Sequence, residues 1–204
     1  MAVLPRAFYS RPALEVARNL LGCHLVRIQN GQRLAGLITE TEAYQGEDDL
    51  GCHASAGKTP RTSVMYGPPG HAYIYFTYGM HWLINAVTSA EGVPAAVLIR
   101  AIHPVEGKAQ MALNRPYHAQ QRNWTNGPAK LTQAFSLDGS LNGHDLRESG
   151  SELFLAEALV VPQHKIKASP RIGLGNTPEP WLSLPWRFWV AGNRYVSRGS
   201  GKLG

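Results

Sequence analysis

The chain holds only two cysteines among 204 residues, too few for a disulfide framework, so a reducing setting inside the cell, cytoplasm or nucleoid, is expected. No apolar run approaches the ~20 residues of a membrane-spanning helix, and no membrane partner is expected. Met1 to Ser10 carries Arg6 but no apolar stretch behind it, so no secretory signal is read there. Internal repeats and low-complexity tracts are missing, which excludes solenoids and fibrous arrays. The chain also lacks G-x-S-x-G, G-x-x-x-x-G-K-[ST] and a G-x-G-x-x-G leading into a helix. Gly67-Pro68-Pro69-Gly70 reads as a turn and not a phosphate cradle. Neither cysteine has an activating partner nearby, so no cofactor is expected. Cys23-His24 and Cys52-His53 form two Cys-His pairs. Adjacent residues on a strand face opposite ways, and zinc pairs need about two to four residues between ligands, so no metal is expected either.

Acids are the scarcer charge, 14 against 20 Lys and Arg, for a net charge of +6. A basic excess favours a polyanionic partner without identifying one. Its distribution is uneven. Residues 161–204 hold seven basic residues and a single acid, Glu179, whereas residues 40–49 hold five acids and no Lys or Arg. An acidic cluster repels phosphate, so Glu40 and Glu42 need another purpose. Glu47, Asp48 and Asp49 are read as solvated loop acids. Hydrophobic content of 44% with 17% charge indicates an ordered chain long enough for one domain with a sound core.

Pattern along the chain predicts an α+β fold. The reading is a single compact domain around a twisted, mostly antiparallel sheet, with flanking helices and a protruding β-hairpin. Pro12 to Leu21 has helical spacing and stops at Gly22. Cys23 to Gln29 alternates as a strand, Asn30-Gly31 is a hairpin turn, and the return strand runs from about Arg33 through Glu42 to Tyr44. Gln45 to Pro69 is a long Gly/Pro-rich connection of the kind that usually carries function. Strands are predicted over Tyr73–Tyr78, Trp82–Ser89 and Val93–Ile102, with a break at Gly79. A helix is predicted from Pro104 to about Leu113, then a polar loop over 115–126 with Arg115 and Arg122. Gly127-Pro128 opens a second helix to about Leu137, strands lie near Leu153–Leu159 and Trp186–Val190, and residues 1–10 and the last dozen are read as loose.

Chemistry centres on Leu37-Ile38-Thr39-Glu40-Thr41-Glu42-Ala43-Tyr44, a strand that delivers a carboxylate and a ring to the start of the long loop. On such a strand Glu40, Glu42 and Tyr44 share a face. Two acids could serve a glycosidase, and Glu40 lies only about 7 Å along the strand from Glu42; a single general base suffices when the leaving group departs readily. The second aromatic strand, Tyr73-Ile74-Tyr75-Phe76-Thr77-Tyr78, ends at Gly79, where a ring at a turn tip can wedge into a base stack. An acid beside flat rings is suited to hydrolysing a bond next to a planar, stackable group, which suggests a nucleobase. The competing reading is a nucleic-acid-binding module that recognises distorted DNA or RNA without chemistry.

At Glu40-Thr41-Glu42-Ala43-Tyr44, His53, Thr59-Pro60-Arg61, Tyr75 to Met80, Asn85, Arg100, Gly127-Pro128-Ala129-Lys130 and Arg171-Ile172-Gly173, the chain resembles the alkyladenine (3-methyladenine) DNA glycosylases. The match runs in order from about Leu20 to Ser197. The resemblance implies a monofunctional enzyme that flips alkylated or deaminated purines such as 3-methyladenine, 7-methylguanine and hypoxanthine out of double-stranded DNA, cuts the N-glycosidic bond and leaves an abasic site. It implies Glu42 as general base for a water that Arg100 and the carbonyl of Ile172 help to hold. Tyr44, His53 and Tyr75 would wall the base pocket, with Asn85 against the purine edge. Tyr78 would fill the gap in the duplex. Thr59, Arg61, Met80, Arg115, Gly127 and Lys130 would meet the DNA backbone. A monomer is enough for such a mechanism. His81, after the Gly79-Met80 pair, departs from relatives that carry an aromatic ring there.

Overall fold

The computed structural model describes residues 1–116 and 124–197. Its spine is β2 (Gln32–Gln45), a strand of 14 residues that pairs with different neighbours along its length. The first half pairs with β1 (His24–Gln29) across the Asn30-Gly31 turn, and β5 (Ala95–Glu106) lines the other side. Between Ile38 and Thr41 the register slips, and beyond the slip Glu40, Thr41 and Glu42 pair with β8 (Arg187–Val190) in place of β1. A bulge of this kind bends a strand and re-aims its side chains. Here it falls at Glu40, where β8 replaces β1 as the neighbour of β2 opposite β5.

From β5 the sheet continues through β4 (His81–Thr88) to β3 (Ala72–Thr77), and on the other flank through β1 to β6 (Leu153–Ala156). All strand pairings among the described residues are antiparallel, including that of β7 (Ile166–Ser169) with β8. The helices α1 (Arg6–Tyr9), α2 (Ala13–Asn19), α3 (Lys108–Asn114) and α4 (Pro128–Ala134) are short, so tertiary burial and not helix propensity holds them. Val16, Ala17 and Leu20 from α2 and its end join Leu131 and Ala134 of α4, with Ile38, Ile99 and Phe188, in the main core. This is the single-domain α+β architecture read from the sequence.

Several expectations need correcting. Pro104 does not start a helix. It stays in β5, paired opposite Gly36 beside a register shift, where a residue without an N–H is tolerated. The helix starts after Gly107, whose φ of 74° puts it in the left-handed region. Residues 1–10 are anchored: Leu4 and Tyr9 are buried, and Val3 bridges to Ala156. The end of the described chain is anchored too, since Tyr195 is buried and Ser197 donates its backbone N–H and its hydroxyl to Glu40. Arg122 and residues 198–204 lie outside the described residues. Both cysteines are free and buried, and burial pushes the Cys52 thiol up to about 11.

Candidate active site

Glu42 is completely buried and has three partners, two hydrogen-bond donors and one ion-paired arginine. The backbone N–H of Ile172 reaches Oε1 at 2.7 Å, the Tyr44 hydroxyl reaches Oε2 at 2.9 Å, and Arg100 Nη1 lies 3.1 Å from Oε2. Glu42 itself does not line the adjacent cavity, but all three of its partners do. Its carboxylate therefore lies just behind the cavity wall. Glu40, also fully buried, takes a different part: it accepts Arg100 Nε at 2.8 Å, Arg187 Nε at 2.7 Å and both donors of Ser197. Burial pushes the Glu40 carboxyl up, but Arg100, Arg187 and the Ser197 hydrogen bonds outweigh it and hold the group below its ordinary value. With its oxygens committed to arginines and a serine, Glu40 orients Arg100 and faces no ligand.

The cavity measures about 350 Å³, the size of a pocket for one small planar group. Tyr44, His53, Tyr73 and Tyr75 supply rings, Leu83, Leu98, Ala96 and Met65 supply apolar surface, and Asn85 and Arg100 supply polar atoms. His53 Nδ1 is 3.0 Å from the Tyr73 hydroxyl, and its ring meets Tyr75 edge-on with centroids 4.5 Å apart. Desolvation against this wall, and then the charge of Arg61, push the His53 imidazole down to about 4. It is a neutral ring at physiological pH. Desolvation raises the Tyr44 and Tyr75 phenols, with the Glu42 charge adding to both, so both stay protonated. Asn85 is buried and donates its amide to the Tyr73 carbonyl at 2.9 Å.

Tyr78 stands at the cavity mouth on the turn between β3 and β4, 77% exposed, with φ of 52° followed by Gly79 at 65°. Two successive left-handed residues make a tight hairpin tip that follows the strand twist, and the exposed Met80 follows. Arg61 is exposed, with its Cζ 5.2 Å from the centre of the Tyr75 ring. Thr59 is tied to Thr62 within the long loop. Gly127 caps α4, Pro128 lines the cavity, and Lys130 reaches Asn126 at 2.9 Å. Arg115 turns inward: it is buried and donates to Gln133 and to the Trp124 carbonyl. Glu47 receives the Tyr66 hydroxyl. Asp49, read from sequence as a solvated acid, is fully buried against Arg171. That pairing spans 122 residues of sequence, and no local spacing signals it. Among the described residues no group of three His, Cys, Asp or Glu is arranged to hold a metal. None of the described helices is long and apolar enough to cross a membrane.

A buried carboxylate held by arginine, phenol and backbone N–H thus stands behind a slot lined by aromatic rings. Residues 7–194 match the methylpurine-DNA glycosylase family. The chain is 48% identical over 196 residues to a protein of Carboxydothermus hydrogenoformans, covering 96% of this chain and 99% of that one. It is 50% identical over 198 residues to one of Methanocella arvoryzae, covering 97% of each. A Myxococcus xanthus protein is 45% identical over 196 residues, covering 96% of this chain and 94% of that one. All three bear the name "Putative 3-methyladenine DNA glycosylase". The chain belongs to the methylpurine-DNA glycosylase family. It is an N-glycosyl hydrolase of the DNA-repair type.

Proposed function

We propose that this glycosylase rotates a damaged purine nucleotide out of duplex DNA into the aromatic cavity and hydrolyses its N-glycosidic bond with water, leaving an abasic site. The observation that carries this reading is the Glu42 carboxylate held immediately behind the wall formed by Tyr44, Arg100 and Ile172. A stacked base hides its C1′, so chemistry requires extrusion, and damaged or mispaired bases cost least to extrude. Tyr78, exposed beside the opening, is placed to occupy the gap. Arg61, Lys130, and the backbone near Thr59, Met80 and Gly127 are the proposed contacts to the DNA backbone.

Glu42 Oε2 is occupied by the Tyr44 hydroxyl and Arg100. A water entering with the base would take the place of the Tyr44 hydroxyl at Oε2, and the carboxylate would aim it at C1′ with the Ile172 carbonyl as a second acceptor. Purines alkylated at N3 or N7 carry positive charge, stack strongly on aromatic faces and leave without protonation. For them one carboxylate is enough. Among the described residues no lysine lines the cavity, which supports direct attack by water over a covalent amine intermediate. The proposed substrates are 3-methyladenine, 7-methylguanine and the neutral lesion hypoxanthine, and the proposed working form is an intracellular monomer on double-stranded DNA. Base release from separate duplexes carrying alkylated adenine, alkylated guanine and hypoxanthine tests the spectrum. Trapping of an enzyme–DNA adduct by borohydride would overturn the water mechanism.

A further inference from the structure

We propose that Asp49 is a positioning residue of this site, acting through Arg171 on Tyr44 and on the Ile172 N–H; the proposal rests on the reading of Glu42 as general base. Neither Asp49 nor Arg171 exposes any side-chain surface, and they form a two-pronged pair with distances of 2.6 and 2.8 Å. The two Asp49 oxygens also accept the backbone N–H groups of Gln45 at 3.1 Å and Gly51 at 2.9 Å. This closes the chain tightly where it leaves β2 and starts it toward Cys52-His53. Arg171 in turn lies between two rings, its Cζ 4.7 Å from the centre of Tyr44 and 4.9 Å from that of Trp186, and its Nη1 donates to the Ala43 carbonyl at 3.1 Å. The next residue is Ile172, whose N–H meets Glu42. Gly51 leaves the necessary room, since a Cβ there would fall 2.7 Å from Arg171 Nη2.

Two features of the catalytic wall therefore hang on one ion pair whose residues do not line the cavity: the plane of the Tyr44 ring and the donor to Glu42 Oε1. A buried ion pair gives little net stability relative to apolar packing, and fixing one geometry is its better-attested use. Geometry matters here because displacement of a reacting group by about 1 Å can cost on the order of 10²-fold in rate.

The test is single-turnover base release from a duplex carrying one 7-methylguanine, at saturating enzyme, with rates expressed per folded site. Asp49→Asn is expected to lower the maximal rate on the order of 10²-fold with affinity for undamaged duplex unchanged. Arg171→Lys, which keeps the charge but loses the planar contacts, should fall comparably, and it carries the test if Asp49→Asn does not fold. The double variant should be no slower than the worse single one, because both remove the same coupling. A lower melting temperature with an unchanged rate per folded site would reduce the pair to a structural role and overturn the proposal. Wild-type protein that released no base from any lesion would instead sink the reading of the site itself.

Discussion

The Tyr44 hydroxyl donates to Glu42 Oε2 at 2.9 Å, so the ring proposed to stack on the substrate base also covers the carboxylate proposed to activate water. Glu42→Gln is expected to abolish base release while lesion binding stays within a few-fold. Tyr44→Phe keeps the ring and removes the cover, so lesion affinity should hold and the single-turnover rate should hold or rise. A tenfold drop for Tyr44→Phe would mean that the hydroxyl takes part in the reaction. Equal loss of binding and release in Glu42→Gln would make Glu42 a structural acid.

Acid stability should report Glu40. Its folded-state carboxyl titrates below the ordinary value, so its contribution is fully present above the ordinary carboxylate range and is lost as pH falls through the depressed folded value. The melting temperature of the wild type should therefore decline steeply once the pH drops below about 4. Glu40→Gln leaves Arg100 and Arg187 facing a neutral amide, and breaking a buried pair this way costs about 3–5 kcal/mol. That variant should melt lower at neutral pH and show a shallower acid decline. An unchanged acid slope would show that Glu40 is not the group responsible.

Tyr78 combines exposure with backbone strain, at 77% accessible and φ of 52°. A bulky residue in the left-handed region is unfavourable, and its side chain contributes little burial here to compensate. Tyr78→Gly and Tyr78→Ala should leave the melting temperature unchanged or, for glycine, slightly raised. Both should weaken capture of a lesion-containing duplex more than binding to undamaged duplex, as measured by equilibrium titration at fixed salt. A fall in melting temperature, or equal losses on both duplexes, would place Tyr78 in packing and not in the wedge.

The sequence made β2 legible because Glu40, Glu42 and Tyr44 keep strand alternation beside an unmistakable Asn30-Gly31 turn, and Arg100 reaching both carboxylates is the structural counterpart. The hairpin tip at Tyr78-Gly79 was legible for the same reason. The Asp49–Arg171 pair was not, since it joins a loop acid to a distant loop base and leaves no periodic trace. Pro104 misled because proline commonly opens helices, whereas here a bulge accommodates it inside β5. The strand β7 escaped notice because Ile166–Ser169 is short and only half-buried, without the apolar alternation that marks an inner strand.

Proton supply separates the substrate classes. His53 titrates near 4 because desolvation and then Arg61 disfavour its charged form, and Tyr44 and Tyr75 hold their protons far into alkali. The neutral imidazole is therefore the favoured form near neutral pH, where it neither repels a cationic base nor protonates a neutral one. Release of 7-methylguanine, which departs already charged, should rise with pH as a carboxylate base ionises and then stay level. Hypoxanthine needs a proton on the leaving base, so its release should fall again in alkali and give a bell. The His53 ring resonances should show no transition between pH 5 and 8, and the stability tied to that neutral ring should diminish as pH falls from the ordinary imidazole range toward 4. Matching bell-shaped profiles for both lesions would show that the cationic base also requires an acid, and a His53 midpoint near 6.5 would identify the imidazole as a candidate for it.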